Sequence, residues 1–403
     1  MEEKGLVNFF EQFLNKRSLF TNKAALQSSY APGNIPHRDI QISQVANVLA
    51  PALKGEKPSN LFIYGKTGTG KTLVVKYTTD QIASISQQRT LPVKIVYINC
   101  KLKKVADTEY RLVAQLSKEF GKDVPPTGLP TDEVYRIFFS ALDRQKQIVI
   151  LVLDEIDELI GKAGDELLYN LTRINQELKL AQISIVGISN DLSFTDNLDP
   201  RVKSSLSEEE LVFAPYDALQ LQDILRARSS VAFRQDGVEF GVIEKCAARA
   251  ANDNGDARRA LELLRVAGEL ADRTGAEKLG LQHLDQADET IEKDRMLELI
   301  RTQPKQHQAT LYAIVKACKQ KKEGVFTGEI YDVYQTVCEQ TKQRPLTQRR
   351  VSDIIAEFDM LGLITAKVIS KGRYGRTREI SLAIPSQNEQ RMQSLLEEGL
   401  SLA

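Results

Sequence analysis

The sequence predicts an α/β fold in which a parallel sheet carries a phosphate-binding loop, followed by a helical domain and a winged helix. Short, nearly continuous apolar runs alternate with helical patterns from about residue 61 to residue 215, which is typical of a buried parallel sheet. The β signal then gives way to helical periodicity up to about residue 299. The last part has the order helix, helix, helix, hairpin, which is the order of a winged helix.

The length of 403 residues is enough for two or three domains of ordinary size. We predict an N-terminal arm with a nucleotide-binding α/β domain over 1–215 and an all-helical domain over 216–300. A winged-helix domain over 301–385 and a C-terminal tail over 386–403 complete the division.

The strands of the sheet are predicted from four runs rich in β-branched and aliphatic residues. They are 61–64, 93–98, 148–153 and 183–188. Because parallel strands are buried on both faces, these runs are apolar almost throughout and do not alternate with polar residues.

A phosphate-binding loop follows the first strand. Residues 65–72 match G-x-x-x-x-G-K-[ST] at every fixed position and lead into a helical pattern, which is the context that this motif requires. Backbone N–H groups of such a loop surround phosphates, its lysine reaches the β- and γ-phosphates, and its threonine binds Mg²⁺. The loop consists of Gly65, Lys66, Thr67, Gly68, Thr69, Gly70, Lys71 and Thr72.

Polar residues follow the two later strands of the predicted sheet. Asp154 and Glu155 come directly after the strand 148–153, and Asn190 follows the strand 183–188. The carboxyl ends of parallel strands meet at one edge of a sheet, so these side chains should face the phosphate loop. We expect Asp154 to hold Mg²⁺, Glu155 to orient the attacking water and Asn190 to touch the γ-phosphate and that water.

The third helix of the last domain is predicted to begin after Thr347, a good N-cap residue. Its apolar positions recur at helical spacing and define one buried face. They are Val351, Ile354, Ile355, Phe358 and Leu361. Two β-rich runs, 363–369 and 379–384, follow and are joined by a basic turn.

The formal net charge is zero, because 54 Lys and Arg balance 54 Asp and Glu. The charges are segregated, however. Residues 301–384 carry 15 basic and 8 acidic side chains, whereas residues 1–300 carry 38 basic and 43 acidic ones. A basic module on an acidic body is typical of a nucleic-acid-binding appendage. The neutral sum therefore does not exclude DNA as a partner.

Other classes are excluded by simpler observations. The longest purely aliphatic run, 148–153, is far shorter than the roughly 18 residues of a membrane span. The first four residues carry acids where a secretory signal carries positive charge. The four cysteines lie far apart, with no Cys-x-x-Cys pair, so neither a zinc site nor a disulfide framework is expected.

Taken together, the motifs resemble those of the archaeal replication initiators of the origin-recognition and cell-division-control type, which are AAA+ ATPases. The resemblance runs from residue 35 to about residue 384. It implies an AAA+ P-loop ATPase domain with a helical lid domain, followed by a C-terminal winged-helix domain. Besides the phosphate loop, it is carried by 35–39, 153–157, 199–205, 255–261 and 347–352.

The resemblance also implies roles that spacing alone leaves open. Asn190 would be sensor 1, and Arg258, in the lid, would be sensor 2 on the γ-phosphate. Arg201 matches the arginine finger, which acts on a nucleotide held by a neighbouring subunit. We assign Tyr216 to the nucleotide-binding set as well. The adenine pocket would be lined by Ile35, Pro36, His37 and Arg38.

Two parts of the chain are expected to contact DNA. The third helix of the winged helix would enter the major groove, and the hairpin tip would reach a minor groove. Members of the family also touch DNA with a helical insert, which here includes 121–136. The residues assigned to DNA in the winged helix are Thr347, Gln348, Arg349, Arg350, Lys371, Arg373, Tyr374 and Arg376.

The function implied is that of an ATP-dependent origin-recognition protein of the archaeal cytoplasm, associated with the nucleoid. It would use ATP, ADP and Mg²⁺, hydrolyse ATP slowly, bind duplex origin DNA and help to load a replicative helicase of the MCM type. Paralogous initiator subunits would be further partners on DNA, and no membrane partner is expected. Two alternatives remain, a regulatory AAA+-like ATPase with a protein-binding winged helix and a clamp-loader-type ATPase.

Overall fold

The computed structural model forms two compact units, of which the first ends at Asp285 and the second begins at Gln286. The residues described are 17–101, 108–125, 127–164, 166–194, 198–206, 209–321, 324–370, 376–383 and 386–402.

The centre of the first unit is a five-stranded parallel sheet with the strand order β2-β3-β4-β1-β5. All eight residues of β3 are buried, as the apolar composition of the run predicts. The four predicted strands are confirmed, and each extends by one to three residues beyond its predicted limits. The strands are β1 (Leu61–Gly65), β2 (Val93–Asn99), β3 (Gln147–Asp154), β4 (Ala181–Ser189) and β5 (Glu209–Phe213).

The edge strand β5 is absent from the sequence prediction. Only Leu211 and Phe213 of its five residues are buried, so its sequence lacks the continuous apolar run of an inner strand. It nevertheless pairs with β1 along its whole length, from Leu61 opposite Glu209 to Gly65 opposite Phe213.

Helices cover both faces of the sheet. Successive residues of β3 face opposite sides, so Val149 and Leu151 join one core cluster, whereas Ile148 and Ile150 join the other. The helices of this region are α1 (Asp39–Leu49), α2 (Lys71–Arg89), α3 (Glu109–Glu119), α4 (Thr131–Leu142), α5 (Ile156–Ala163), α6 (Glu166–Arg173) and α7 (Pro200–Leu206).

The rest of the first unit is helical, as predicted, and consists mainly of α8 (Ala218–Ala232), α9 (Val242–Asn252) and α10 (Ala257–Thr274). Asp217 and Gln220 form a capping box that starts α8, and Asp256 accepts from backbone amides at the start of α10. Such caps satisfy amides that have no partner inside the helix.

The N-terminal segment packs on this helical part. The amide of Thr21 donates to the carbonyl of Ala232 at 2.8 Å, and the ring of Phe20 stacks on that of Phe233 with centroids 4.8 Å apart. A short 3₁₀ helix, Lys23–Leu26, follows. The segment is therefore part of the folded unit over its described residues.

The second unit is a winged helix with one additional helix. Its sheet is antiparallel with the order β6-β8-β7, because a two-residue strand adds to the predicted hairpin. The helix α11 (Leu281–Thr302) contains the division between the units. The remaining elements are α12 (Lys305–Gln320), β6 (Val325–Phe326), α13 (Thr327–Gln340), α14 (Gln348–Met360), β7 (Ile364–Ser370), β8 (Arg376–Leu382) and α15 (Ser386–Leu400).

Two predictions from the sequence differ from the structure of this unit. Leu361, predicted on the buried face of α14, is 45% exposed, because the helix ends at Met360 and Leu361 is its C-cap. The segment predicted as a tail over 386–403 forms α15, in which Met392 and Leu396 are buried in the core of the unit. Their spacing of four residues places them on one face of a helix.

We expect Leu396→Ala to destabilise the second unit, because the side chain is fully buried and its removal leaves a cavity. The free energy of unfolding of this unit should fall by about 2–4 kcal/mol. Amide hydrogen exchange in α12 and α15 of the full chain measures this change. Glu398→Ala, at an exposed position of the same helix, should change it by less than about 0.5 kcal/mol. Equal exchange rates in the two variants would contradict a structural role for α15.

Candidate nucleotide site and nucleic-acid interface

The phosphate loop lies at the carboxyl edge of the sheet, between β1 and α2. Gly68 and Gly70 have φ angles of +76° and +91°, in the left-handed region that favours glycine. A Cβ atom on Gly68 would lie 1.7 Å from Asp256 Oδ1. The loop therefore requires glycine here both for its backbone and for the approach of α10.

Lys71 occupies the centre of the loop and is only 5% exposed. Its ammonium donates to the carbonyls of Gly65 and Lys66 at 2.7 and 2.9 Å, and to Asn190 Oδ1 at 2.9 Å. Burial, with a smaller effect of the Arg258 charge, lowers the pKa of Lys71 to about 8. The lysine is thus held where a negatively charged ligand would restore its usual basicity.

Thr72 and Asp154 meet beside this lysine. The threonine hydroxyl donates to Asp154 Oδ2 at 3.1 Å, and the carboxylate is buried with 3% exposure. The phenol of Tyr97 and the amide of Glu155 also donate to this carboxylate. Burial raises the pKa of Tyr97, so its phenol remains a donor. Hydroxyl and carboxylate oxygens are the hard ligands that Mg²⁺ prefers.

Glu155 and Asn190 complete the polar edge. Glu155 precedes α5 with a φ of +57°, which is uncommon for a residue with a Cβ atom. Its Oε2 lies 3.5 Å from the ammonium of Lys101. The side-chain oxygen of Asn190 accepts from Lys71, and the backbone amide of Asn190 donates to Asp157 Oδ1 at 3.4 Å. The residues predicted after β3 and β4 are therefore brought together with the phosphate loop.

A cavity of about 510 Å³ opens beside the loop, between α2, the segment before α1, and the helices α8 and α10. Gly68, Gly70 and Thr72 border it at one end. Much of its lining is apolar or aromatic. Such residues include Ile35, Pro36, Tyr77, Tyr216, Ile224 and Leu261. Its size and composition are those of a pocket for a small organic ligand.

The residues predicted for the adenine pocket divide into two pairs. Ile35 and Pro36 line the cavity. His37 Nε2 instead lies 2.9 Å from Asp223 Oδ2 on α8. Arg38 is buried, donates from Nε to the carbonyl of Thr69 at 2.9 Å and lies over the Tyr216 ring at 3.9 Å. Arg38 therefore stabilises the phosphate loop through a hydrogen bond to its backbone.

The start of α10 lies against the phosphate loop. The amide of Ala257 donates to the carbonyl of Gly68 at 3.3 Å. Asp256 accepts from the amides of Arg258 and Arg259. Arg258, which follows Ala257, is exposed and lines the cavity.

Arg201 lies at the start of α7 and pairs within its own segment. Its guanidinium donates to both oxygens of Asp199, at 3.0 and 2.8 Å, and lies 5.3 Å from the ring of Tyr169. This hydrogen-bonded pairing lowers the pKa of Asp199 to about 2. The Arg201 side chain remains 69% exposed, so it is accessible from outside the chain.

In the second unit, the first turn of α14 presents polar side chains. The Thr347 hydroxyl accepts from the amide of Arg350 at 3.4 Å, which confirms the predicted N-cap. Thr347, Gln348, Arg349 and Arg350 are all exposed. The guanidinium of Arg350 lies 3.8 Å from Asp353. Because successive residues of a helix point about 100° apart, the four exposed side chains are distributed around the first turn.

The hairpin is described only in part. Lys371, Arg373 and Tyr374 lie outside the described residues, and Arg376 is the first residue of β8. Arg378, a further basic residue of the hairpin, donates to the carbonyl of Ser352 at 3.0 Å. It therefore ties the hairpin to α14.

Sequence reasoning missed Tyr97 and Asp256 as members of the site. Tyr97 occurs within an apolar strand run, where an aromatic residue is expected from packing alone. The sequence did carry a signal for Asp256, because this residue is a helix N-cap two positions before the predicted sensor Arg258.

Two absences concern only the part of the chain that the structure describes. No cluster of three or more His, Cys, Asp or Glu residues there could hold a metal ion. None of the helices in the same residues is both long and apolar enough to cross a membrane.

The fold and the phosphate loop define a P-loop ATPase domain of the AAA+ class, followed by a winged helix. Family models agree with this class. An AAA domain matches 54–193, a Cdc6 AAA+ ATPase-type lid domain matches 222–289, and the CDC6 C-terminal winged helix domain matches 298–390. The predicted fold class is therefore confirmed, while the domain limits at 215, 300 and 385 stay predictions.

The chain belongs to the ORC1-type DNA replication proteins. It is 53% identical to the ORC1-type DNA replication protein of Pyrococcus abyssi, over 95% of this chain and 92% of that protein. It is 48% identical to the ORC1-type DNA replication protein 1 of Methanosarcina mazei, over 97% and 94%. The solved structure of Aeropyrum pernix ORC1 in complex with DNA superposes with a TM-score of 0.80 at 43% identity, covering 94% of this chain and 97% of that one. The predicted resemblance is confirmed.

The low pKa of Lys71 makes the stability of the nucleotide-free protein depend on pH. Between pH about 8 and 10.5, the unfolded chain keeps a proton on this lysine that the folded chain has lost, so the free energy of unfolding rises with pH. Relative to Lys71→Met, the wild type should gain up to about 1.4 kcal/mol per pH unit in this window. Urea denaturation at a series of pH values measures both slopes. Parallel slopes would contradict a lowered pKa of Lys71 in the folded chain.

Proposed function

We propose that this chain recognises replication origins, binds ATP or ADP with Mg²⁺, hydrolyses ATP slowly and helps to load the replicative helicase. One observation carries the nucleotide part of this proposal. Lys71, Asp154 and Asn190 meet at one edge of the sheet, beside a cavity bordered by the phosphate loop and the lid.

The site fits a nucleoside triphosphate with its metal. The left-handed glycines 68 and 70 let the loop curl, and the backbone amides of such a loop can face phosphate oxygens. Thr72 and Asp154 offer two oxygen ligands within 3.1 Å of each other, and Mg²⁺ held there would neutralise phosphate charge. The apolar part of the cavity, with Ile35, Pro36 and Tyr216, suits the adenine ring.

Hydrolysis would use the residues around the phosphates. Glu155 would orient and polarise the attacking water, Asn190 would contact that water and the γ-phosphate, and Arg258 would contact the γ-phosphate from the lid. Arg201 would act on a nucleotide in a neighbouring subunit. Because Nε and Nη2 of Arg201 donate to Asp199 in the single chain, slow turnover is expected until a partner subunit competes for this arginine.

DNA binding is proposed for both units. In the second unit, Arg349 and Arg350 at the exposed start of α14 would contact bases or phosphates, with Thr347 and Gln348 near the backbone. The basic residues 371–376 of the hairpin would enter a minor groove. In the first unit, the helical insert that includes 121–136 would add a second contact. The relative from Aeropyrum pernix, which shares 43% of its sequence, was solved with DNA.

Further partners follow from the same proposal. Paralogous initiator subunits would assemble on the bound DNA, where the exposed Arg201 could meet a neighbouring nucleotide. A replicative helicase of the MCM type would be recruited to that assembly.

Glu155→Gln should retain nucleotide but lose turnover. An amide keeps the size of the carboxylate and cannot accept a proton from water, so the rate of ATP hydrolysis should fall at least about 100-fold. Affinity for ATP with Mg²⁺ should stay within about twofold. Single-turnover hydrolysis and equilibrium binding measure the two quantities. Glu158→Gln on the same helix, where the carboxylate pairs with Lys162, is the matched control and should hydrolyse ATP normally. Unchanged hydrolysis by Glu155→Gln would remove this residue from the proposal.

Arg349→Ala should weaken binding to duplex DNA and reduce its salt dependence. Each lost phosphate contact lowers the slope of log affinity against log salt by about 0.9. Fluorescence anisotropy with a labelled duplex at several salt concentrations measures the slope. Arg391→Ala, at an exposed position of α15 in the same unit, is the control and should leave the slope unchanged. A wild-type protein without salt-dependent DNA affinity would instead favour a protein-binding winged helix.

A further inference from the structure

We propose that Tyr97 is a positioning residue that holds the Asp154 carboxylate in the orientation needed for the metal of a bound nucleotide. The inference rests on the nucleotide site proposed above and extends it to a residue outside the motifs. Tyr97 lies on β2, which two other strands separate from β1, the strand that leads into the phosphate loop.

The carboxylate of Asp154 is fixed by donors from three directions. Thr72 donates from α2, the amide of Glu155 donates to Oδ1 at 3.1 Å, and the phenol of Tyr97 donates to Oδ2. A carboxylate with one side-chain donor can still rotate about its Cβ–Cγ bond. The phenol approaches from the neighbouring strand β2, and its hydrogen bond restricts this rotation.

The register of the sheet explains how a residue on β2 reaches Asp154. Asn99 is the Cα partner of Asp154, and Tyr97 lies two residues earlier on the same strand. Side chains two residues apart point to the same face of a strand. Tyr97 and Asp154 are therefore diagonal neighbours on one face, and only a side chain as long as tyrosine spans that diagonal.

The ring of Tyr97 is itself held from α2. The ammonium of Lys76 lies over the ring, 4.3 Å from its centroid, and Lys76 also lines the nucleotide cavity. Thr72 and Lys76 are four residues apart and share a face of α2. These contacts form a ring of interactions. Thr72 contacts Asp154, Asp154 contacts Tyr97, and Tyr97 contacts Lys76, which lies on the same helix as Thr72.

The chemistry of the phenol suits this task. A lysine or arginine at position 97 would also orient the carboxylate, but its positive charge would repel a divalent cation at the same oxygens. A neutral hydroxyl orients Asp154 and leaves its negative charge available. Partners that orient a ligand in this way typically contribute tenfold or more to metal affinity.

The test is a Mg²⁺ titration of Tyr97→Phe, which keeps the ring and its contact with Lys76 and removes only the hydroxyl. Affinity for fluorescent N-methylanthraniloyl-ADP is measured in EDTA and at increasing Mg²⁺. We expect the affinity in EDTA to stay within about twofold of wild type. The Mg²⁺ concentration for half-maximal tightening should rise about tenfold.

Tyr312→Phe is the matched control. The Tyr312 phenol donates to a carboxylate, Glu397 Oε1, at 3.0 Å, so this variant loses an equivalent hydrogen bond between α12 and α15 of the second unit. It should match wild type in both measurements. An unchanged Mg²⁺ requirement in Tyr97→Phe would overturn the inference and leave the nucleotide site intact. Equal weakening in EDTA and in Mg²⁺ would also overturn it, because that pattern indicates general damage to the site. If the affinity of the wild-type protein for the nucleotide does not depend on Mg²⁺, the proposed metal site is wrong and so is this inference.

Discussion

The buried ammonium of Lys71 is the constraint on which the rest of the first unit depends. A cation in a site of low polarity is costly unless each of its donors has a partner, and here the partners are two loop carbonyls and the Asn190 amide oxygen. Those carbonyls face inward only because the loop curls through left-handed glycines. Asn190 is in reach only because β4 pairs with β1 in parallel register, with Tyr64 opposite Ser189. Loop, strand order and sensor position are thus linked by one side chain.

Around this centre, the cavity is closed by residues that come from distant parts of the chain. Arg228 of α8 is buried, donates to the carbonyls of Ala25 and Tyr30 and lies over the Tyr30 ring. Arg38 connects the phosphate loop to the Tyr216 ring. Arginine suits both positions, because its planar guanidinium stacks on an aromatic face while its edges donate to carbonyls. Arg228 therefore joins the lid to the N-terminal segment, and Arg38 joins the phosphate loop to the start of the lid.

Much of this architecture was predictable from the sequence, and the exceptions have physical causes. The phosphate loop, the inner strands and Asp154 were predictable because buried parallel strands and glycine-rich loops impose strong local patterns. The strand β5 was not, because an edge strand with exposed Glu209 and Glu210 has no such pattern. Tyr97 was not, because its role depends on the diagonal register between β2 and β3, which no local pattern encodes. The position of His37 beside Asp223 depends likewise on a contact between segments far apart in sequence.

The packing of the N-terminal segment on the lid also governs the order in which the protein can be assembled during synthesis. The amide of Leu19 donates to Asp272, a residue 253 positions later in the chain. Residues 18–30 therefore leave the ribosome early and must wait until the lid has been translated before they find their partners. Contacts of such sequence separation carry a loop-closure cost and form late. The parallel sheet can be completed earlier, so a nascent chain would have a phosphate loop before it has a closed pocket.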